Sequence, residues 1–425
     1  MTATPVEEIP KASKVPAAPE YFLGRGGLGK SRFFIAFLAF LALCQIWART
    51  GIFVAAPTDY PYKSWTAADI EDFITPSGPR PNVAFVGSSL MLVPLGATDA
   101  NYLNTRVGLP RHHRSYFFED NFKQKTGRSI TTYDFALPGE MPSDAYLIEK
   151  FLLKDDKRPD VLVCGVGPRD FMDNLLPSPE ATDPYKFLAR FGDVSNHIDL
   201  IAPDPWERLN WELGRLFYPY QHKEDIVLSA NHLAYAGIFS LVQEPDEKKS
   251  IIFRRTLLPY YRTFEVVDGD GVYKPDRHPV YSDANLEEYR KRYRNLKWDT
   301  FLSQMTFLAD MLNVARSRGT HVVIVAMPIT DINRDLLGDM PWSAYKTTLK
   351  VLALAKGATY IDMAETTSFD INDFGDTVHL HSVGGEKMLR VLADKMAQDD
   401  EVRTALRITG AQPRAVANRR KDVAL

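Results

Sequence analysis

Residues 82–91 read NVAFVGSSLM, an apolar and partly β-branched run that stops at Gly87 and is followed at once by Ser88 and Ser89. A run this short fits a strand buried on both faces, and a glycine followed by two hydroxyls fits the turn at its carboxyl end. The same pattern recurs along the chain. Short apolar runs lie at 130–135, 161–166, 322–327 and 359–362, and apolar residues at three- and four-residue spacing lie at 115–125, 143–153, 298–318, 345–356 and 385–398. Strand followed by helix, repeated, predicts an α/β fold: an open, doubly wound, three-layer parallel sheet of about five strands with helices on both faces.

Ligands of such sheets bind beyond the carboxyl ends of the strands, so the residues that follow each strand matter most. Gly87, Ser88 and Ser89 follow the first, Pro138 and Gly139 the second, and Gly165, Gly167, Arg169 and Asp170 the third. After the last strand a loop carries Asp376-Thr377-Val378-His379, and then Gly384-Gly385 where a helix begins. A hydroxyl, an imidazole and a carboxylate therefore converge on one rim. A serine hydroxyl is a weak nucleophile that must surrender its proton to a base, and an imidazole suits that role near neutral pH. A carboxylate fixes the imidazole tautomer and stabilises its charged form. The spacing of three between Asp376 and His379 lets both fold to one side of a loop turn, with the aspartate on Nδ1 and Nε2 left for Ser89. Backbone N–H groups of Ser89 and Gly139 are placed to hold a developing oxyanion, an interaction worth about 3–4 kcal/mol per donor.

Working outward, residues 1–32 are rich in Pro, Ala and charge and are expected to be a disordered cytoplasmic tail. Residues 33–48 (FFIAFLAFLALCQIWA) carry no charge, and with the following GIFVAA they predict a single membrane-spanning anchor over 33–54. Lys11, Lys14, Arg25, Lys30 and Arg32 precede it, so the positive-inside rule puts the large C-terminal region outside the cytoplasmic (inner) membrane, in the periplasm. A cleaved signal peptide competes with the anchor, but its n-region would be unusually long. Residues 55–81 are expected to be a stalk, 82–173 and 296–400 two parts of one domain, 174–295 a folded insertion or lid, and 401–425 a disordered tail. Trp206, Trp211, Phe217, Tyr218, Tyr220, Tyr260, Tyr261 and Tyr281 in the insertion form either its own core or a stacking platform for substrate. A net charge of -3 gives no general attraction to nucleic acid. Two cysteines, Cys44 and Cys164, offer neither a disulfide framework nor a cysteine-rich zinc site.

These residues resemble the blocks of the SGNH (GDSL-like) hydrolase superfamily. The first block, usually GDS, reads GSS here, with Ser89 matching the nucleophile and Ser88 standing where the aspartate usually does. The resemblance assigns Ser88 a bracing role. Gly139 in YDFALPGEMPSD corresponds to the second-block glycine, and Asp376, His379 and Gly384 match the last block. The family's strand order is 2-1-3-4-5. Many members have G-x-N in the third block, with the asparagine amide as a further oxyanion donor; here Gly165-Val166-Gly167-Pro168-Arg169-Asp170 leaves either the Gly167 N–H or Arg169 to replace it. The GSS block and the anchor are most similar to the branch containing the D-alanine transfer proteins of teichoic acid synthesis and the alginate O-acetylation proteins. That resemblance implies acyl transfer to, or acyl removal from, an exported or cell-surface glycan beside a membrane-bound O-acyltransferase.

Other readings stand beside this one. Residues 24–31 (GRGGLGKS) fit a phosphate-loop pattern, but a polar tail precedes them and an apolar helix follows, where the motif needs a buried strand and a soluble helix. They read better as a cationic segment near lipid headgroups. His112-His113, His379 and His381 lie at no known zinc spacing, so neither metal nor cofactor is expected. His381 is expected to shape its loop, and Arg169 and Asp170 to form either an ion pair or a substrate contact. A catalytically silent, glycan-binding or scaffolding module of the same fold is the alternative to an enzyme.

Overall fold

A computed structural model of the protein describes residues 32–49, 65–75, 78–176, 178–221, 272–276, 280–365 and 369–409. They fall into two units, Met1–Val54 with Glu212–Ile226, and Ala55–Trp211 with Val227–Leu425. In the larger unit, five strands form one parallel sheet: β1 (Val83–Gly87), β2 (Thr132–Asp134), β3 (Val161–Val166), β4 (His321–Ala326) and β5 (Thr359–Asp362). Their order across the sheet is β2-β1-β3-β4-β5. Each strand expected from the sequence is present within two residues at either end.

β1 and β3 are buried at every residue, as strands covered on both faces must be. One group of helices, Ser89–Tyr102, Tyr116–Thr126 and Ser382–Gln398, packs together, and a second group joins Pro142–Phe151, Trp298–Arg318 and Asp339–Ala355. Register aligns Gly87 of β1 with Gly165 of β3. Gly87 has a φ of +141°, and a β-carbon there would collide with the Gly165 carbonyl oxygen. Only glycine lets β1 end this close to β3 and turn directly into the helix that starts at Ser89.

That Ser89–Tyr102 helix was not expected from periodicity. Its residues 90–92 and 94–100 are all buried, so no polar face marks a period of 3.6, and Pro94 sits inside it. The expected stalk also changes character. Trp65–Ile74 is a helix whose Ile70 and Phe73 are buried, with Phe73 against the rings of Tyr133 and Phe135 at 5.0 and 4.7 Å. Acidic and proline residues around those two side chains hide the apolar face in the sequence.

The expected C-terminal tail likewise begins as structure. Asp399 caps a helix at Asp400–Ala405 through Val402 N, and Val402, Arg403 and Leu406 are buried. Residues 410–425 lie outside the described residues, as do 1–31 with the phosphate-loop-like stretch. Part of the insertion belongs to the domain core, since Tyr185, Phe187, Leu188 and Ile201 are buried in it. Trp206 is 77% exposed, which removes it from any core. Tyr260 and Tyr261 lie outside the described residues.

In the smaller unit, the apolar stretch forms the helix Arg32–Arg49. Among the described residues no helix is long and apolar enough to cross a membrane. The uncharged part between the two terminal arginines would rise about 24 Å at 1.5 Å per residue, short of a hydrocarbon core about 30 Å thick. The expected span over 33–54 is therefore not supported, and its continuation past Arg49 lies outside the described residues.

Candidate active site

The turn from β1 presents two serines to different neighbours. Ser88 is 2% exposed and forms the N-cap of the following helix: its Oγ accepts from Leu90 N at 3.4 Å and donates to Asp170 Oδ2 at 3.2 Å. Ser89, the first helical residue, is partly exposed and faces the loop after β5. Its Oγ lies 2.8 Å from His379 Nε2, and His379 Nδ1 lies 2.7 Å from Asp376 Oδ2. His379 follows Ser89 by 290 positions in the chain, so only the sheet topology brings them together.

Asp376 is held on its second oxygen as well. Its Oδ1 accepts from Val378 N at 2.9 Å and from His379 N at 2.8 Å. Burial works against ionisation of this carboxyl, but the His379 hydrogen bond and charge, with the two backbone donors, outweigh it and hold the pKa below the ordinary aspartate value. An ionised aspartate on Nδ1 leaves Nε2 as the acceptor facing the serine hydroxyl.

The residue inside this loop is anchored from two sides. Thr377 is fully buried; its N–H and hydroxyl both donate to Asn285 Oδ1, at 3.3 and 2.8 Å, and its hydroxyl accepts from Asn333 Nδ2 at 3.1 Å. Its carbonyl accepts from the Thr330 hydroxyl and N–H at 2.7 and 3.2 Å. Asn285 comes from the returning end of the insertion, where Ser282 N also donates to Gly375 O at 3.0 Å. His381 shapes the end of the same loop: Nδ1 accepts from Val383 N and Gly384 N, capping the Ser382–Gln398 helix, and Nε2 bonds Asn372 O at 2.6 Å.

Gly139 lies on the neighbouring turn with a φ of +80°, a conformation that places the backbone, with no side chain in the way, toward the rim. No acceptor among the described residues takes the N–H of Ser89 or of Gly139. Glu140, next in sequence and 1% exposed, accepts from Gly87 N at 3.0 Å through Oε1 and from Leu137 N at 3.1 Å through Oε2. It ties the turn at the end of β1 to the Gly139 turn. Burial pushes its pKa well above the ordinary glutamate value, with the charge of Asp144 adding to the rise. Sequence reading passed over Glu140, Asn285, Thr330 and Asn333; an acid inside the apolar stretch ALPGEM was the one signal available for the first.

The third-block residues form a charged network. Asp170 Oδ2 accepts from Gly167 N at 2.8 Å, and Arg169 bonds Asp170 and Asp173, with Arg292 also on Asp173. Of the two readings of Arg169 and Asp170, ion pair or substrate contact, the ion pair is present. His112 and His113, adjacent in sequence, separate into different pairs: His112 Nε2 with Asp99 at 2.8 Å, and His113 Nε2 with Asp72 at 3.1 Å. A cavity of about 820 Å³ lined by Arg316, His321, Tyr360 and Asp399 opens at the opposite, amino end of β4 and β5, away from Ser89. Chemistry rather than cavity size therefore marks the site, because a nucleophile must be reachable and needs no deep pocket. No family model matches the chain, and no curated protein matches it.

Proposed function

We propose that the protein is a serine acyl-esterase or O-acyltransferase that works through an acyl-serine intermediate. The observation that carries this reading is the unbroken line Asp376 Oδ2, His379 Nδ1 and Nε2, Ser89 Oγ, at 2.7 and 2.8 Å. Ser89 Oγ would attack an ester carbonyl while His379 Nε2 takes its proton; His379 then returns a proton to the departing alcohol, and water or an acceptor hydroxyl releases the acyl group. No cofactor is called for in these steps. An activated phosphonate should label the wild type and Ser88→Ala on the peptide containing FVGSSLM, and should leave Ser89→Ala unlabelled. Labelling of a folded Ser89→Ala protein would defeat the assignment, and an unlabelled wild type would favour the silent binding module. That second reading draws on the missing third-block asparagine and on the large insertion.

The resemblance of the three blocks supports an exported or cell-surface glycan ester as substrate and a membrane-bound O-acyltransferase as partner. For location we propose a single-pass attachment to the inner membrane, with the α/β domain outside the cytoplasm. The helix Arg32–Arg49 exposes Phe33, Ile35, Phe37, Leu38, Phe40, Leu43 and Ile46, which favours lipid around it. A short span is accommodated by local bilayer thinning and by arginines reaching to the headgroups. A reporter fused after Leu425 should be extracytoplasmic and one placed before Lys30 cytoplasmic; a cytoplasmic signal from both would overturn the orientation.

A further inference from the structure

Two groups compete to supply a third donor to the oxyanion, and hydrogen bonding separates them. The Gly167 N–H is already spent on Asp170 Oδ2 at 2.8 Å. Arg169, 8% exposed, is tied through Nε to Asp173 Oδ2 at 2.9 Å and through Nη1 to Asp170 Oδ1 at 3.4 Å. Its remaining nitrogen reaches the Gly139 turn: Nη2 lies 3.5 Å from the point where a β-carbon would stand on Gly139. A planar guanidinium fastened at two of its three nitrogens by carboxylates holds the third in a fixed direction, which a flexible lysine ammonium does not do. Burial works against its charge, but Asp170 and Asp173 outweigh that and keep it protonated.

We infer that Arg169 is a catalytic residue whose Nη2 joins the backbone N–H groups of Ser89 and Gly139 in holding the tetrahedral oxyanion. This rests on the acyl-serine reading above. As the Ser89 Oγ–carbon bond forms, the carbonyl π pair moves onto oxygen and the serine proton moves to His379 Nε2. Arg169 donates a hydrogen bond to that oxygen and keeps its proton. When the oxyanion collapses, the bond to the leaving alcohol breaks and His379 protonates it. A charged donor in place of a neutral amide gives its greatest stabilisation when the negative charge is fully formed, so its effect belongs to turnover rather than to ground-state binding.

The test uses the full chain, p-nitrophenyl acetate and phosphonate labelling, with Arg169→Ala, Arg169→Lys and added guanidinium ion at low millimolar concentration. Arg169→Ala should lower kcat and the labelling rate about 10²–10³-fold with KM changed less than threefold. Arg169→Lys should recover less than a tenth of the loss, and guanidinium should raise Arg169→Ala selectively, leaving the wild type unchanged. Chemical rescue is the readout that a purely structural ion pair would not move. Wild-type kcat in folded Arg169→Ala, full activity in Arg169→Lys, or a loss that guanidinium does not relieve would each overturn the inference. If Arg169→Ala fails to fold, Arg169→Lys decides by the same criterion. An unlabelled wild type defeats the acyl-serine reading itself, whereas a labelled wild type with an undiminished Arg169→Ala defeats only this one.

Discussion

Opposite ends of the sheet each carry a hydroxyl, an imidazole and a carboxylate, wired in different orders. At the carboxyl rim the imidazole is in the middle, with Asp376 on one nitrogen and Ser89 on the other. At the amino rim the hydroxyl is in the middle: His321 Nε2 lies 2.8 Å from Thr359 Oγ1, which donates to Asp399 Oδ2 at 2.9 Å. The Thr359 proton is directed at a carboxylate, a weak base at neutral pH, and among the described residues no carboxylate is hydrogen-bonded to the imidazole, although Asp399 and Glu401 lie near enough to act on its charge. Asp399 is also committed to capping the last helix. One set has the order that proton transfer from a hydroxyl through an imidazole requires. The other braces β4, β5 and the C-terminal helix. Residue composition does not distinguish them, whereas the order of hydrogen bonds does.

The comparison breaks most sharply at Asp376. Asp376→Asn should lower kcat about 10⁴-fold while the fold persists, because the imidazole loses tautomer control. An unchanged rate would mean that the carboxyl rim is as inert as the amino rim. Because its folded pKa is depressed, the stability Asp376 contributes is complete above the ordinary aspartate value and is lost as pH falls through the folded value. Its protonation therefore belongs below about pH 4, and any acid limb of activity between pH 5 and 7 should persist unshifted when stability is followed separately by thermal melting.

A smaller effect is expected at Thr377. Thr377→Val keeps the shape but removes the hydroxyl bonds to Asn285 and Asn333, and a misplaced imidazole should cost about 10- to 100-fold in kcat. Thr377→Ser should restore most of it; equal loss in both variants would point to packing instead.

The smallest effect on turnover belongs to the amino rim. Thr359→Val and His321→Asn should leave kcat within about twofold, with Thr359→Val costing about 1–2 kcal/mol in urea unfolding. Burial lowers the His321 pKa, so the unfolded chain binds the proton more readily. The sign follows from that difference: His321 favours folding fully above about pH 6.5, and the benefit declines as pH falls from there through the lower folded value. His321→Asn should flatten that part of the stability curve. A hundredfold loss of activity in either variant would show that the two rims are not functionally distinct.

What could be read from the sequence depended on how local each signal was. The five strands were legible because a parallel strand buried on both faces must be continuously apolar over a few residues, as 161–166 are. The helix at 89–102 fell outside that logic, since burial on every side erases the alternation of apolar and polar positions. The Asp376–His379 pair was legible from a spacing of three. Asn285 was not: it lies 92 residues from Thr377, and only the fold brings its amide to the loop. Glu140 braces two turns that belong to different strands, and no window of sequence contains both.

The grip of Asn285 and Ser282 on residues 375–377 also bears on how modular this protein is. An insertion between β3 and β4 invites the view that it could be exchanged or trimmed while the five-stranded unit is kept as a minimal enzyme. A chain spliced from 173 directly to 296 would retain all five strands, Ser89, Asp376 and His379, yet lose one of the two supports of the loop that aligns them. Such a chain would be a sheet with the right side chains at uncoordinated positions. The returning arm at 280–295 therefore belongs with the candidate site, and any boundary drawn for domain exchange in this protein has to leave it on the side of the sheet.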